Sequence, residues 1–392
     1  MTWGLGRVAA LEYPGRWGGL IDLPALPDAT TGELLARVLA GSTAEDQVAI
    51  RGSGLLGRRI VPVQAATDGS WSPSGTILVT GGTGAVGRHL AQWLSDNGAE
   101  RVVLLGRNAG AVADDAVDCD VTDRAALGRA LAGYEIDTVI HAAAAMELAP
   151  IADTTPELFA EITAAKVTGA VNLAELLDAE LVFFSSIAGV WGAVNHAAYA
   201  AANAYLDAFA QRLRRSGRRA VSIAWGVWDV GAVAELPDVA KSLEQGMGLL
   251  SPKAALAELA AVLAGDDPVA VVADVDWDRY APVFSASRRR ALFDELVPTT
   301  TESRTDLLET ILAQAAALLG HRSTADVDPH KPFVSAGFDS LLSVQLRNRL
   351  SERTGVDLPT TVVFDHPTPA ALPLASGELA RVTAGSLGRQ PD

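Results

Sequence analysis

The stretch TILVTGGTGAVGRHLAQWL, residues 76–94, decides the fold. An aliphatic, β-branched run with the character of a strand buried on both faces enters Gly81, Gly84 and Gly87, and a helical pattern runs from Val86 to Leu94. Glycine is needed at such a turn because a side chain would hold the backbone away from a pyrophosphate, whose charge the next helix N-terminus receives. The placement predicts dinucleotide binding by Thr80, Gly81, Thr83, Gly84, Ala85, Val86 and Gly87. The next strand ends in LLGRN, residues 104–108, where an acidic residue would accept the ribose hydroxyls of NAD. Arg107 stands there instead and suits a 2'-phosphate, so NADPH is favoured. Asp120 and Val121, in CDVTD, are candidates for the adenine edge.

Working outward, apolar runs alternate with helical patterns: RVVLLGR (101–107), AVDCDV (116–121), DTVIHAA (137–143), ELVFFSS (180–186), RAVSIAWG (219–226) and VAVVADVDW (269–277). Continuous apolar strands separated by helices predict a doubly wound α/β fold, Rossmann-like, on a parallel sheet of about seven strands. A polar stretch without periodicity, VPTTTESRTD, then reads as a linker, and a small all-α helical bundle follows. The expected boundaries are an incomplete N-terminal segment at 1–65, the α/β domain at 66–298, the linker at 299–306 and the bundle at 307–386. Before residue 65 only one capped helix, Thr31 to Leu39, and two short strands, QVAIR (47–51) and RRIVPV (58–63), are expected.

The formal charge is -16, and no Lys/Arg block exceeds the three residues Arg288 to Arg290, so nucleic acid is a poor partner. The single cysteine, Cys119, cannot form an internal disulfide and reads as a small core residue in a reducing, cytoplasmic setting. No segment has signal-peptide or membrane-spanning character, so no membrane association is expected, and no metal site is read.

Hydride delivery to a ketone leaves an alkoxide that must be protonated and held. Tyr199 supplies a phenol, Ser186 in FFSSIAGVWG supplies a hydroxyl at a strand end, and a cation is needed to lower the phenol pKa. The loop TGGTGAVG (80–87), the serine of SSIAG (185–189) and the helix YAAAN (199–203) together resemble the short-chain dehydrogenase/reductase superfamily. Most members read Tyr-x-x-x-Lys. Here Asn203 takes the fourth place after Tyr199, and Lys166, the only lysine before residue 241, lies on the preceding long helix. That exchange resembles the ketoreductase domains of modular polyketide synthases and their fatty-acid synthase relatives. The resemblance implies that Tyr199 donates the proton, Ser186 holds the oxygen, Lys166 orients the NADPH ribose and tunes the phenol, Tyr199 and Lys166 both contact the cofactor, and Asn203 positions the lysine or a relay water. The segments 3–24 and 45–63 resemble the closing part of the structural half that precedes such catalytic domains, so the chain is expected to begin partway through a longer polypeptide.

Within that family the loop 141–153 lacks a Leu-Asp-Asp fingerprint, while Trp191 and His196 stand eight and three residues before the tyrosine. The resemblance implies an A-type enzyme with the A2 fingerprint and an L-configured β-hydroxyl product, with or without α-methyl epimerisation. FVSAGFDSLLSVQLRNRL (333–350), with an amphipathic helix before it and VVFDHPTPAAL after it, resembles an acyl carrier protein. Ser340 would then carry 4'-phosphopantetheine, added by a phosphopantetheinyl transferase, and the substrate would be a β-ketoacyl thioester on the carrier, passed among other polyketide synthase domains. Two other readings stay open: a free-standing short-chain reductase of small ketones, and a redox-inactive module that only presents the carrier. The serine motif argues against the first, and the intact tyrosine and glycines against the second.

Overall fold

The computed structural model describes residues 1–43, 45–63, 71–107, 109, 116–286, 288, 290–297, 304–321, 323–354 and 361–372. The chain divides into two compact units, Met1–Val297 and Pro298–Asp392.

The first unit opens with helix α1 (Thr2–Glu12), strand β1 (Leu20–Asp22), helix α2 (Ala29–Leu39) and strands β2 (Gln47–Arg51) and β3 (Gly54–Gly57). β2 pairs with β1 in parallel and with β3 antiparallel. Asp28 caps α2: its carboxylate accepts from the Thr31 amide, and the Thr31 hydroxyl accepts from the Asp28 amide. Helix α1 and strands β1 and β3 are additional to the elements expected in this segment. α1 carries Gly4 and Gly6, which lower helix propensity, so the sequence hid it. Nor do residues 58–63 form a strand. The chain turns back at once, pairing Arg51 with Gly54, while Pro62 has no amide for a ladder and the Ile60 amide goes to the Leu292 carbonyl at 2.9 Å.

Next come β4 (Thr76–Thr80), α3 (Ala85–Asp96), β5 (Arg101–Gly106), β6 (Val117–Asp118), α4 (Arg124–Leu131), β7 (Thr138–His141), α5 (Pro156–Leu176), β8 (Glu180–Ser186), α6 (Ile187–Trp191), α7 (Ala197–Arg215) and β9 (Ala220–Trp225). β10 (Val227–Trp228), α8 (Pro237–Glu244), β11 (Leu249–Leu250), α9 (Pro252–Ala264), β12 (Val269–Val272) and α10 (Trp277–Phe284) complete the unit. Seven of these strands form the expected parallel sheet, in the order β12-β9-β8-β7-β4-β5-β6. Strand alternation sorts the core. Leu78, Val139, Leu181 and Phe183 face α4, α5 and α7, whereas Ile77, Val79, Val182 and Phe184 face α3 and α9. The direction of winding reverses between β4 and β7, and in such sheets the crevice at that switch point receives the ligand. Cys119 is buried in the core, 7% exposed, and desolvation raises its thiol pKa.

The second unit contains α11 (Arg304–Leu319), α12 (Phe333–Ala336), α13 (Ser340–Thr354) and α14 (Val362–Asp365). Ile311, Phe333, Leu346, Leu350 and Val362 form its core. Of the segment 364–380, the described residues 364–372 hold the end of α14 and one 3-10 turn, Pro369–Ala371, and the end of the bundle near residue 386 lies outside the described residues. No helix among the described residues is long and apolar enough to cross a membrane.

Candidate active site

A cavity of about 590 Å³ opens at the switch point, lined by the glycine loop, Arg107, the segment Cys119–Thr122, Ala142–Ala145 and one face of α5. Gly81 has φ +69°, and a Cβ there would sit 2.8 Å from the Ala143 amide nitrogen, so the turn excludes other residues. Gly84 caps α3 without a side-chain hydrogen bond, which leaves the first amides of that helix for an anion. Gly81, Thr83, Gly84, Ala85, Val86, Gly87, Arg107, Asp120 and Val121 all line this cavity. The glycine turn, the free amides of α3 and Arg107 fit the pyrophosphate and 2'-phosphate of NADPH. Asp120 binds its own turn, accepting from the Thr122 amide and hydroxyl, each at 2.8 Å. Those bonds, then Arg107, hold its pKa below the usual range. Asn108, beside Arg107, lies outside the described residues.

Thr80 is the exception. It is fully buried, and its hydroxyl lies 2.7 Å from His141 Nδ1 rather than in the cavity. His141 Nε2 faces the Lys166 carbonyl at 3.2 Å, and a carbonyl only accepts, so Nε2 carries the proton and Thr80 donates to Nδ1. The buried ring, whose pKa falls to about 3 through desolvation and then the nearby Lys166 charge, therefore stays neutral and ties α5 to the sheet at Lys166.

Lys166 itself is 2% exposed and donates to the Phe184 carbonyl at 2.6 Å. Its ammonium lies over the Tyr199 ring, 5.6 Å from the centroid. Burial pushes its pKa down to about 8, and the Asp207 carboxylate opposes that fall. The Tyr199 phenol is pushed up by desolvation, while the Ser186 and Asn203 side chains favour its ionised form. Ser186 caps α6, accepting from the Ala188 amide at 3.2 Å. Asn203 donates through Nδ2 to the Tyr199 carbonyl at 2.8 Å, and its buried Oδ1 has no partner among the described residues. An orphaned buried acceptor costs about 1–3 kcal/mol, and a water in that place would remove the penalty.

Several supporting groups escape a motif reading. Asp207, one turn beyond Asn203, accepts from the Ser222 hydroxyl at 2.7 Å, and Ser185 donates to the Asn203 carbonyl at 3.2 Å. The end of β8 thus holds three partners in succession: Phe184 takes Lys166, Ser185 takes the α7 backbone, and Ser186 faces Tyr199. His141 has one signal in the sequence, a polar ring at the end of an otherwise apolar strand. Trp191 sits 2% exposed among Trp277, Tyr280 and Phe293, with its indole N–H donated to the Tyr280 hydroxyl at 3.1 Å. His196 precedes α7, its Nδ1 lies 2.7 Å from the Val194 carbonyl, and its ring meets the Tyr199 ring at 6.2 Å between centroids. In the second unit, Asp339 caps α13 by accepting from the Leu342 amide at 2.8 Å, which leaves Ser340 exposed at the first helical position.

Among solved structures, the first ketoreductase of the tylosin polyketide synthase shares 44% identity, with a TM-score of 0.71, over 76% of this chain and 69% of that one. The chain belongs to the ketoreductase family. The KR-domain profile matches residues 75–230 of this ketoreductase, and the phosphopantetheine attachment site profile matches residues 309–372. NADPH and 4'-phosphopantetheine are the groups that go with these two domains. Polyketide synthase GfsA of Streptomyces halstedii is 41% identical over 94% of the chain. Pikromycin polyketide synthase component PikAIII of Streptomyces venezuelae is 42% identical over 95%. The ketoreductase chain spans only 6% and 28% of those two proteins.

Proposed function

We propose that the chain reduces the β-keto group of a polyketide intermediate held as a thioester on its own type of carrier, using NADPH. The observation that carries this reading is the convergence on the ring of Tyr199 of a buried ammonium, that of Lys166, next in sequence to Ala165, which lines the cavity of the glycine loop. Bound NADPH supplies the hydride. Tyr199 gives its proton to the new alkoxide oxygen, and Ser186 holds that oxygen through its hydroxyl. Lys166 stabilises the phenolate that remains and orients the cofactor ribose. Asn203 presents its unpartnered Oδ1 to a water that returns the proton. Arg107 favours the 2'-phosphate. Ser340 carries 4'-phosphopantetheine, attached by a phosphopantetheinyl transferase, and α13 favours the phosphodiester through its N-terminal dipole.

The partners are other domains of a polyketide synthase, in the cytoplasm, with neither nucleic acid nor membrane involved. Trp191 and His196 support an A-type, A2 outcome, an L-configured β-hydroxyl with or without α-methyl epimerisation. His196 acts at the Tyr199 ring, and Trp191 acts indirectly, by fixing α6 from the aromatic core. Reduction of racemic 2-methyl-3-ketoacyl pantetheine thioester, followed at the NADPH absorbance with chiral separation of the four products, tests the reading. No NADPH consumption overturns the reductase, and a dominant D-hydroxyl overturns the stereochemistry. Treatment with a promiscuous transferase should add one pantetheine-sized mass to the chain and none to Ser340→Ala.

A further inference from the structure

We infer that Glu12 is a positioning residue that clamps together the two loops flanking Tyr199 and so sets how the ketone is presented to the phenol. The inference rests on the reductase reading above. Glu12 is the last residue of α1. Its Oε2 accepts from the Ile151 amide at 2.8 Å and its Oε1 from the Asn195 amide at 2.9 Å. One carboxylate thus uses both oxygens on two loops far apart in sequence, in charge-assisted bonds stronger than neutral ones. The loops also meet directly, the Ala149 amide donating to the Asn195 carbonyl at 3.0 Å within a bridge between Ala149 and His196.

Three observations link this clamp to the chemistry. Asn195, at φ 65°, is the only non-glycine residue with positive φ among the described residues, a conformation that its surroundings must hold in place. His196 follows it directly and abuts the Tyr199 ring, and Ile151 and Ala193 pack in the cluster that contains Tyr199. The loops carry Met146, Leu148 and Val194, which are 59%, 46% and 51% exposed and give apolar surface suited to an acyl chain. The clamp also has a fixed base. α1 packs on α7, where a Cβ on Gly4 would collide with the Ala200 carbonyl, and the Arg7 guanidinium binds the Gly189 carbonyl. Glu12 is thereby referenced to the helix that bears Tyr199.

Glu12→Gln tests the clamp with little change of shape. An amide offers one acceptor oxygen and turns its NH2 towards the other backbone N–H, so one loop is released. Hydrogen exchange on the full chain should quicken about tenfold or more at the amides of Ala149, Ile151 and residues 194–196, with the exchange of β4 and α3 unaltered. With the racemic 2-methyl-3-ketoacyl thioester, KM should rise about fivefold and the product diastereomer ratio should broaden, while the NADPH Kd stays within about twofold. Glu12→Asp, too short to span both amides, should behave alike if the glutamine variant folds poorly. Unchanged exchange in these loops, or an unaltered product ratio and KM in a folded variant, overturns the clamp. A wild-type chain that fails to consume NADPH overturns the parent reading instead, and the exchange measurement still decides the clamp.

Discussion

Lys166 and Tyr199 stand face to face: the ammonium of α5 lies 5.6 Å from the centre of a phenol ring on α7, anchored by the Phe184 carbonyl at the end of β8. The buried ammonium, its pKa lowered to about 8, holds its charge at neutral pH and loses it under mild alkali. On the proposed mechanism the phenolate left after proton transfer needs that charge, so kcat/KM for ketone reduction should fall by about tenfold per pH unit above a pH of about 8. A profile flat to pH 10 would show that the ammonium does not govern the rate. Lys166→Met should remove this alkaline limb along with most of the activity.

Tyr199→Phe keeps the ring beneath the ammonium and deletes only the acid. Reduction should slow by about 10²–10⁴-fold, the range for one positioned proton donor. NADPH titration followed by nicotinamide fluorescence should give wild-type affinity, since the phenol lies outside the glycine-loop contacts. Retained turnover would assign proton donation to another group.

Gly81→Ala acts on the other half of the site. The added methyl must accept φ +69° and close contact with the Ala142 and Ala143 backbone, so the loop has to shift. NADPH affinity should drop by at least about tenfold, and the melting temperature should fall with it, because a left-handed non-glycine residue costs roughly 1–2 kcal/mol. Wild-type affinity would remove this turn from cofactor binding.

His141 makes the fold sensitive to acid. Its pKa is about 3 folded and 6.5 unfolded, so below pH 6.5 only the unfolded chain takes up the proton. Stability from this group is complete above pH 6.5 and is lost as the pH falls towards 3, at up to about 1.4 kcal/mol per pH unit. Urea midpoints between pH 7 and pH 4 should show that slope in the wild type and a shallower one in His141→Gln. Equal slopes would place the acid sensitivity elsewhere.

Periodicity and glycine placement were enough to read the parallel sheet, because strands buried on both faces must be continuously apolar and a strand-turn-helix glycine loop has few other uses. Local motifs and the scarcity of lysine single out Tyr199, Ser186, Lys166 and Ser340 as candidates, and their roles stand as proposals. Tertiary structure decided the rest, because packing across long sequence separations leaves no local pattern. α1 was hidden since Gly4 and Gly6 weaken a helix that exists only through its close seat on α7. Thr80 reads as a loop donor but spends its hydroxyl on His141, a partner brought near by sheet pairing of β4 with β7. The hold of Phe184 on Lys166 and of Glu12 on two loops uses backbone atoms, which every residue possesses, so only the folded chain could reveal which ones meet.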